Sequence, residues 1–194
     1  MDERKADFIR FRVAARVRAA VQTLQRDNVK LVFRVTPRQR LIIVEHAVEQ
    51  MNAFAQHKSC QKEAGGVLLG RFLLDSRDVV VDEVTIPQDT DRRSRFGFFR
   101  SRKHEMRARE RWQQQSSTMA YLGLWHTHPE ADPIPSGVDR SDWQQAVSRD
   151  NFEGDRLFFP IIGTNRIRVW TLSRRGTFRE LKEETGIDDA KLIE

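Results

Sequence analysis

The feature that most limits the folds open to this chain is its rhythm of short apolar runs. Val29, Leu31, Phe33 and Val35 alternate along the chain, and residues 41–44, 67–74, 79–86, 120–125, 157–162 and 167–172 form strand-sized runs rich in β-branched or aromatic side chains. Turn residues or stretches with helical spacing separate them. With a weaker late run at residues 177–181, about eight strands interleaved with helices predict a single α/β or α+β domain. The 194 residues suffice for one domain with additions and a sizeable core. No repeat, low-complexity tract or Gly/Ser linker marks an internal boundary.

Helices are expected in four places, the third from its charge density. Ile9, Val13, Val17, Ala20, Val21 and Leu24 share one face near the start, with Arg10, Arg12, Arg16 and Arg18 largely opposite, which predicts an amphipathic N-terminal helix. Ala47, Val48, Met51, Phe54 and Ala55 predict a second helix, residues 101–115 an exposed third, and residues 136–147 a fourth. Residues 36–39 predict the turn of a first hairpin, and Gly163-Thr164-Asn165 a later turn.

Composition removes several classes. Cys60 is the single cysteine, so an internal disulfide scaffold is excluded and a reducing compartment, the cytoplasm by default, is expected. No run approaches the roughly 18 apolar residues of a membrane helix, so no membrane association is expected. The Arg-rich start carries Asp2, Glu3 and Asp7 and no apolar core follows it, so it reads as mature protein rather than a transit peptide. Charge is concentrated: residues 92–111 hold nine Lys or Arg against Glu105 and Glu110, a local +7 in a chain of net +6. With Phe96, Phe98 and Phe99 interleaved, this block reads first as a solvated face, second as a dock for an acidic C-terminal tail, and third as a single-stranded nucleic-acid surface. No recognisable nucleic-acid module accompanies it, so nucleic acid is the least favoured partner.

The chemistry is carried by His126-Thr127-His128, a seven-residue gap, then Ser136-Gly137-Val138-Asp139, with Glu63 upstream beside Gly65 and Gly66. Two histidines one residue apart at a strand end point to the same side, and Asp139 in the first turn of the next helix adds a carboxylate oxygen. Two neutral nitrogens and one carboxylate make a three-ligand zinc site with a fourth position for water, the pattern of a catalytic zinc. Such a positive centre lowers the pKa of water toward ~7 and polarises a carbonyl. Glu63 is then the candidate general acid/base, and Ser136 a hydroxyl donor to the oxyanion of amide hydrolysis. On their own Ser136 and Asp139 match a helix capping box, and capping and catalysis are compatible at one hydroxyl.

These residues resemble the JAMM (MPN-plus, or JAB) zinc metalloproteases, whose members remove ubiquitin-like modifiers. The likeness runs from about Leu41 through Leu172, including the Glu-x-Gly-Gly-x-Leu-Leu-Gly run from Glu63 to Gly70. It implies one catalytic Zn2+ held by His126, His128 and Asp139, with Glu63 as acid/base and Ser136 as oxyanion stabiliser. The implied fold is the cytidine-deaminase-like three-layer α/β arrangement of a mixed sheet with helices, spanning residues 28–194 behind a helical extension at residues 1–27. Within the family the chain is similar to the bacterial JAB-type deconjugating peptidases of CBASS-like antiphage defence operons. That likeness rests on the run from Tyr121 to Glu130, the Pro133-x-Pro135-Ser136 approach and the basic Phe/Arg segment with His104; Leu124 stands where that subgroup has Glu.

The resemblance implies an isopeptidase that cuts after the C-terminal residue of a ubiquitin-like protein, or of a cGAS-like nucleotidyltransferase joined to a target. Its partners would be a protein with an extended C-terminal tail and an activating/conjugating ligase from the same operon. Processing of a ubiquitin-like or sulfur-carrier precursor is the alternative reaction. A non-catalytic MPN-type scaffold and a basic nucleic-acid-binding protein are the readings of another class. Elsewhere, His104 reads as a surface or packed histidine and Cys60 as a passive small residue. Trp125 and Trp170 read as core, with Trp125 also a candidate substrate-groove wall, and Trp112 and Trp143 as helix packing.

Overall fold

The computed structural model describes residues 29–74, 76–114 and 119–185, and the expected N-terminal helix lies outside them. The chain opens with the expected hairpin: β1 (Val29–Thr36) and β2 (Gln39–Val44) pair antiparallel with Phe33 opposite Leu41. α1 (Glu45–Asn52) follows at once and buries Ala47, Val48 and Met51. It ends before the predicted Phe54 and Ala55, whose amides instead close tight turns on the carbonyls of Met51 (3.1 Å) and Asn52 (3.0 Å).

β3 (Gly65–Phe72) and β4 (Val79–Val84) come next. A small separate hairpin, β5 (Arg92–Ser94) and β6 (Gly97–Phe99), then leads into α2 (Lys103–Gln114). β7 (Ala120–Thr127), α3 (Gly137–Arg149), β8 (Arg156–Ile162), β9 (Ile167–Ser173), β10 (Phe178–Glu180) and β11 (Lys182–Glu183) complete the described elements. The sequence pattern anticipates the long strands and three of these helices within a few residues. It misses β5, β6 and β11, which at two or three residues are too short to show a period.

One nine-stranded sheet has the order β10-β9-β8-β7-β3-β4-β2-β1-β11. Pairs β2/β4 and β7/β8 are parallel and the remaining pairs antiparallel, so the sheet is mixed, as expected. Along its central strands alternate residues feed two separate cores. Leu68, Leu122, Trp125, Phe158 and Val169 join the cluster capped by Ala47, Val48 and Met51 of α1. Val67, Leu69, Tyr121, Leu124, Phe159 and Trp170 join the cluster holding Ala108 of α2 and Trp143, Ala146 and Val147 of α3. The result is three layers: α1, the sheet, then α2 and α3. Each fully buried Phe, Leu or Ile contributes roughly 1.5–3 kcal/mol, which makes these two apolar faces the main source of stability.

The alternation breaks in β7, and that break aims the site. Leu69 faces Tyr121 but Leu68 faces Gly123, so Leu122 has no counterpart on β3: a β-bulge. Continued strictly from Tyr121, the period of two would put Leu124 with α1 and His126 with it. Beyond the bulge the phase is reversed, with Leu124 on the α3 side and Trp125 on the α1 side. Gly123 permits this, with φ +145° and a backbone so close to Phe158 that a Cβ would lie 1.9 Å from its carbonyl oxygen.

Candidate metal centre

His126 ends up on the α3 side of the sheet, its ring 6.2 Å from that of Trp143. The strand is clamped from both sides at this point. Thr127 N–H donates to Ala64 O (2.8 Å) and His128 N–H to Ile162 O (2.9 Å), while Thr127 Oγ1 accepts from Ala64 N–H (3.0 Å) and donates to Gln56 (3.0 Å). The two imidazoles therefore converge on one side, their Nε2 atoms 3.0 Å apart.

Asp139 meets them from the first turn of α3. Its Oδ1 lies 3.2 Å from His126 Nε2 and its Oδ2 3.4 Å from His128 Nε2. The same carboxylate accepts from Ser136 N–H (2.6 Å), and Ser136 Oγ accepts from Asp139 N–H (3.2 Å), so the capping box is fully formed. The cap fixes the carboxylate that faces the rings. Because Ser136 Oγ only accepts within the box, its O–H stays available as a donor.

Glu63 precedes β3, is 8 % exposed, and shares a cluster with both histidines in which the ligand atoms lie within 4.8 Å of one another. The register Gly65 opposite His126 brings it there. Gly66 lets β3 sit close to the end of β4: a Cβ at this position would lie 1.9 Å from Thr85 O. The small hairpin holds Glu63 on both sides of its backbone, Ser94 O accepting from Glu63 N–H (2.7 Å) and Arg93 Nε donating to Glu63 O (2.7 Å). The sequence reading missed this support; the Phe96-Gly97 step between two short polar and aromatic triplets is the signal that could have found it.

Electrostatics divides these groups into two kinds. Burial lowers the His126 pKa and keeps the ring neutral, as a metal ligand must be. Burial also opposes charge on Asp139, but contacts from both histidines and Ser136 outweigh it and hold the carboxyl well below the usual range. At His128 burial works against charge too, and Asp139, Glu130 and Glu63 more than reverse it, so its pKa is raised. Glu63 differs: burial pushes it up to about 7, only partly opposed by His128 and reinforced by Asp139 and Glu130.

The donor set fits a zinc ion: two imidazole nitrogens and a carboxylate lie within 3.0–3.4 Å of one another and face a common point. His128 Nδ1 is buried and lacks a hydrogen bond, although Glu130 Oε2 lies 3.1 Å away, so its ring is oriented chiefly by charge. The five residues singled out by spacing, Glu63, His126, His128, Ser136 and Asp139, all lie at this one place.

One expectation needs correction. Trp125 is 1 % exposed, points to the α1 side and donates Nε1–H to Thr85 O (3.0 Å), so it is a core residue and offers no wall to a substrate. β7 lies between β3 and β8, leaving no sheet edge near Trp125 on which a substrate strand can pair. His104 is wholly buried, as the packed reading expects, and Cys60 is exposed. Trp143 packs beneath α3, stacked on Phe159 at 4.5 Å.

Known proteins share this architecture and sequence. The family model for prokaryotic homologs of the JAB domain matches residues 44–173. A protein named CD-NTase/cGAS isopeptidase from Pseudomonas aeruginosa is 35 % identical over 123 residues, covering 61 % of this chain and 76 % of that one. Its namesake from Vibrio cholerae is 32 % identical over 125 residues, covering 64 % and 79 %. One from Escherichia coli is 31 % identical over 108 residues, covering 55 % and 68 %. The solution structure of protein DSY2949 from Desulfitobacterium hafniense matches in fold with a TM-score of 0.50 and 23 % identity, over 71 % of this chain and 87 % of that one. The chain belongs to the family of prokaryotic homologs of the JAB domain.

Proposed function

We propose that this protein is a zinc-dependent isopeptidase with residues 28–194 as its peptidase unit. Its substrate is the amide joining the C-terminal residue of a CD-NTase/cGAS-type nucleotidyltransferase, or of a ubiquitin-like protein, to an amine on a target. The reaction reverses a ligation performed by a partner enzyme in cytoplasmic antiphage signalling. The observation that carries this reading is the convergence of His126, His128 and Asp139 with a buried Glu63. The names of the bacterial relatives favour the nucleotidyltransferase as the conjugated protein.

His126, His128 and Asp139 would hold the zinc, which when bound supplies Lewis-acid charge that activates water and polarises the scissile carbonyl. Glu63 takes the proton of the attacking water and delivers it to the leaving amine. A carboxyl lifted to about 7 by burial suits both halves of that exchange near neutral pH. Ser136, with its O–H unused by the cap, donates to the oxygen on which negative charge develops. The hairpin β5–β6 contacts Glu63 through Ser94 O and would take an extended C-terminal tail alongside it.

The test is cleavage of a purified nucleotidyltransferase–lysine conjugate. Turnover is expected with zinc present and lost on chelation, and Glu63→Ala is expected to lose turnover while keeping zinc. Unimpaired cleavage by Glu63→Ala would refute the acid/base assignment. Cleavage of a linear fusion in preference to the isopeptide would move the reading to precursor processing.

A further inference from the structure

His104 sits at the start of α2 with no exposed surface and takes no part in the chemistry above. Its ring nevertheless has two hydrogen-bond partners, both buried. Nδ1 lies 2.6 Å from Thr85 Oγ1, and Nε2 lies 2.9 Å from Asp91 Oδ2, a carboxylate with no exposed side-chain surface. The direction of these bonds follows from the remaining partners. Thr85 Oγ1 accepts from Val67 N–H (2.8 Å), and with the single hydrogen of a neutral ring committed to Asp91 its own hydrogen goes to Nδ1. Asp91 also accepts from Gln88 N–H (2.6 Å) and Ser101 N–H (2.8 Å), so it is the ionised end of the chain and receives the Nε2 hydrogen. The ring is thus neutral with its hydrogen on Nε2, in line with a pKa lowered by burial.

This chain of bonds ties together the end of β4, both ends of the hairpin segment and the start of α2. Asp91 and Ser101, which its carboxylate joins, bracket the hairpin β5–β6. Phe98 of the hairpin packs its ring edge-on to His104 at 6.0 Å. The hairpin in turn holds both backbone polar groups of Glu63, through Ser94 and Arg93.

We infer that Asp91, His104 and Thr85 form a positioning relay that sets the hairpin and, through it, the placement of Glu63. The inference rests on Glu63 being the acid/base group. His104 touches no reacting atom; it is a positioning residue. A misplacement of about 1 Å at a reacting group costs on the order of 100-fold in rate, so the effect is expected in kcat.

The experiment uses the full zinc-loaded chain and compares His104→Leu, which fills the volume without polar atoms, with His104→Gln, which keeps one donor and one acceptor. Zinc content, kcat and KM on the conjugate, and amide hydrogen exchange at Glu63 are measured on both, and the ring nitrogens of His104 in the wild type are read by NMR. The relay predicts a wild-type ring protonated at Nε2 alone. It also predicts retained zinc in His104→Leu with kcat reduced ~10–100-fold and KM changed far less. His104→Gln recovers most of kcat, and the Glu63 amide exchanges faster in the Leu variant only. A ring protonated at Nδ1, kcat in His104→Leu equal to wild type, or a Gln variant no better than Leu would each overturn it. Should the wild type show no turnover, the proposed function fails on that ground. The relay is then decided by exchange at Glu63, where unchanged exchange in His104→Leu counts against it. If His104→Leu does not fold, Thr85→Val, which removes one link, is read on the same measurements.

Discussion

Ser136 caps α3 through its oxygen and leaves its hydroxyl hydrogen unused by the cap, so replacement by Ala removes two things at once. Ser136→Ala is expected to cost about 1 kcal/mol of stability through the lost cap and ~100-fold or more in turnover through the lost donor. Ser136→Gly, which costs the cap only a few tenths of a kcal/mol and has no side-chain donor, separates them: denaturant midpoints stay near wild type while turnover stays low. Recovery of turnover with the cap would reduce Ser136 to a structural residue. Asp91 makes a prediction in pH. Burial alone would raise its carboxyl, but the Gln88 amide, the His104 ring and Ser101 hold it at about 2, against an ordinary 3.8. A depressed carboxylate contributes stability that is fully present above its unfolded pKa and lost as pH falls through the folded one. The contribution is roughly 2 kcal/mol. Wild type is therefore expected to exceed Asp91→Asn by about that amount at neutral pH, with the gap closing between pH 3.8 and about 2 in urea titrations. The sequence did not disclose this residue, because its role depends on partners in three separate segments.

Among the elements, β7 shows most clearly what a pattern can and cannot reveal. Its apolar run and its terminal histidines were legible, since a strand and a ligand pair each impose a spacing on the chain. Its bulge was not, because the reversal of phase at Gly123 depends on how closely Phe158 of β8 approaches. Gly123→Ala is accordingly expected to lose at least ~2 kcal/mol, from a positive φ that Ala resists and from the clash with Phe158 O. Zinc affinity should fall with it, as His126 loses its aim; a stable Gly123→Ala protein with wild-type zinc affinity would show that the bulge does not orient the site. The hairpin β5–β6 escaped notice for a different reason. Its strands are three residues long, and its charged residues read as a solvated surface although Arg93 holds the Glu63 backbone.

At the scale of the molecule, the layers followed from the alternation of strand and helix, but the strand order did not. Parallel neighbours β2/β4 and β7/β8 join segments far apart in the chain, and no local period records which strand lies beside which. The candidate site was legible despite this. Its candidate ligands come from two adjacent elements at a fixed spacing, and Glu63 reaches them through the single pairing of β3 with β7. The basic block divided into a hairpin and α2, so its charge lies on the side of the molecule that supports Glu63. All of this leads to one spatial claim, that a cation is held by His126, His128 and Asp139 while Glu63 stands beside it unbound. Anomalous diffraction at the zinc edge, on crystals of the full chain grown with zinc, tests it directly. The account predicts one peak within bonding distance of both His Nε2 atoms and an Asp139 oxygen, with Glu63 outside that distance; a peak ligated by Glu63 with Asp139 serving only as a cap, or no peak at all, would contradict it.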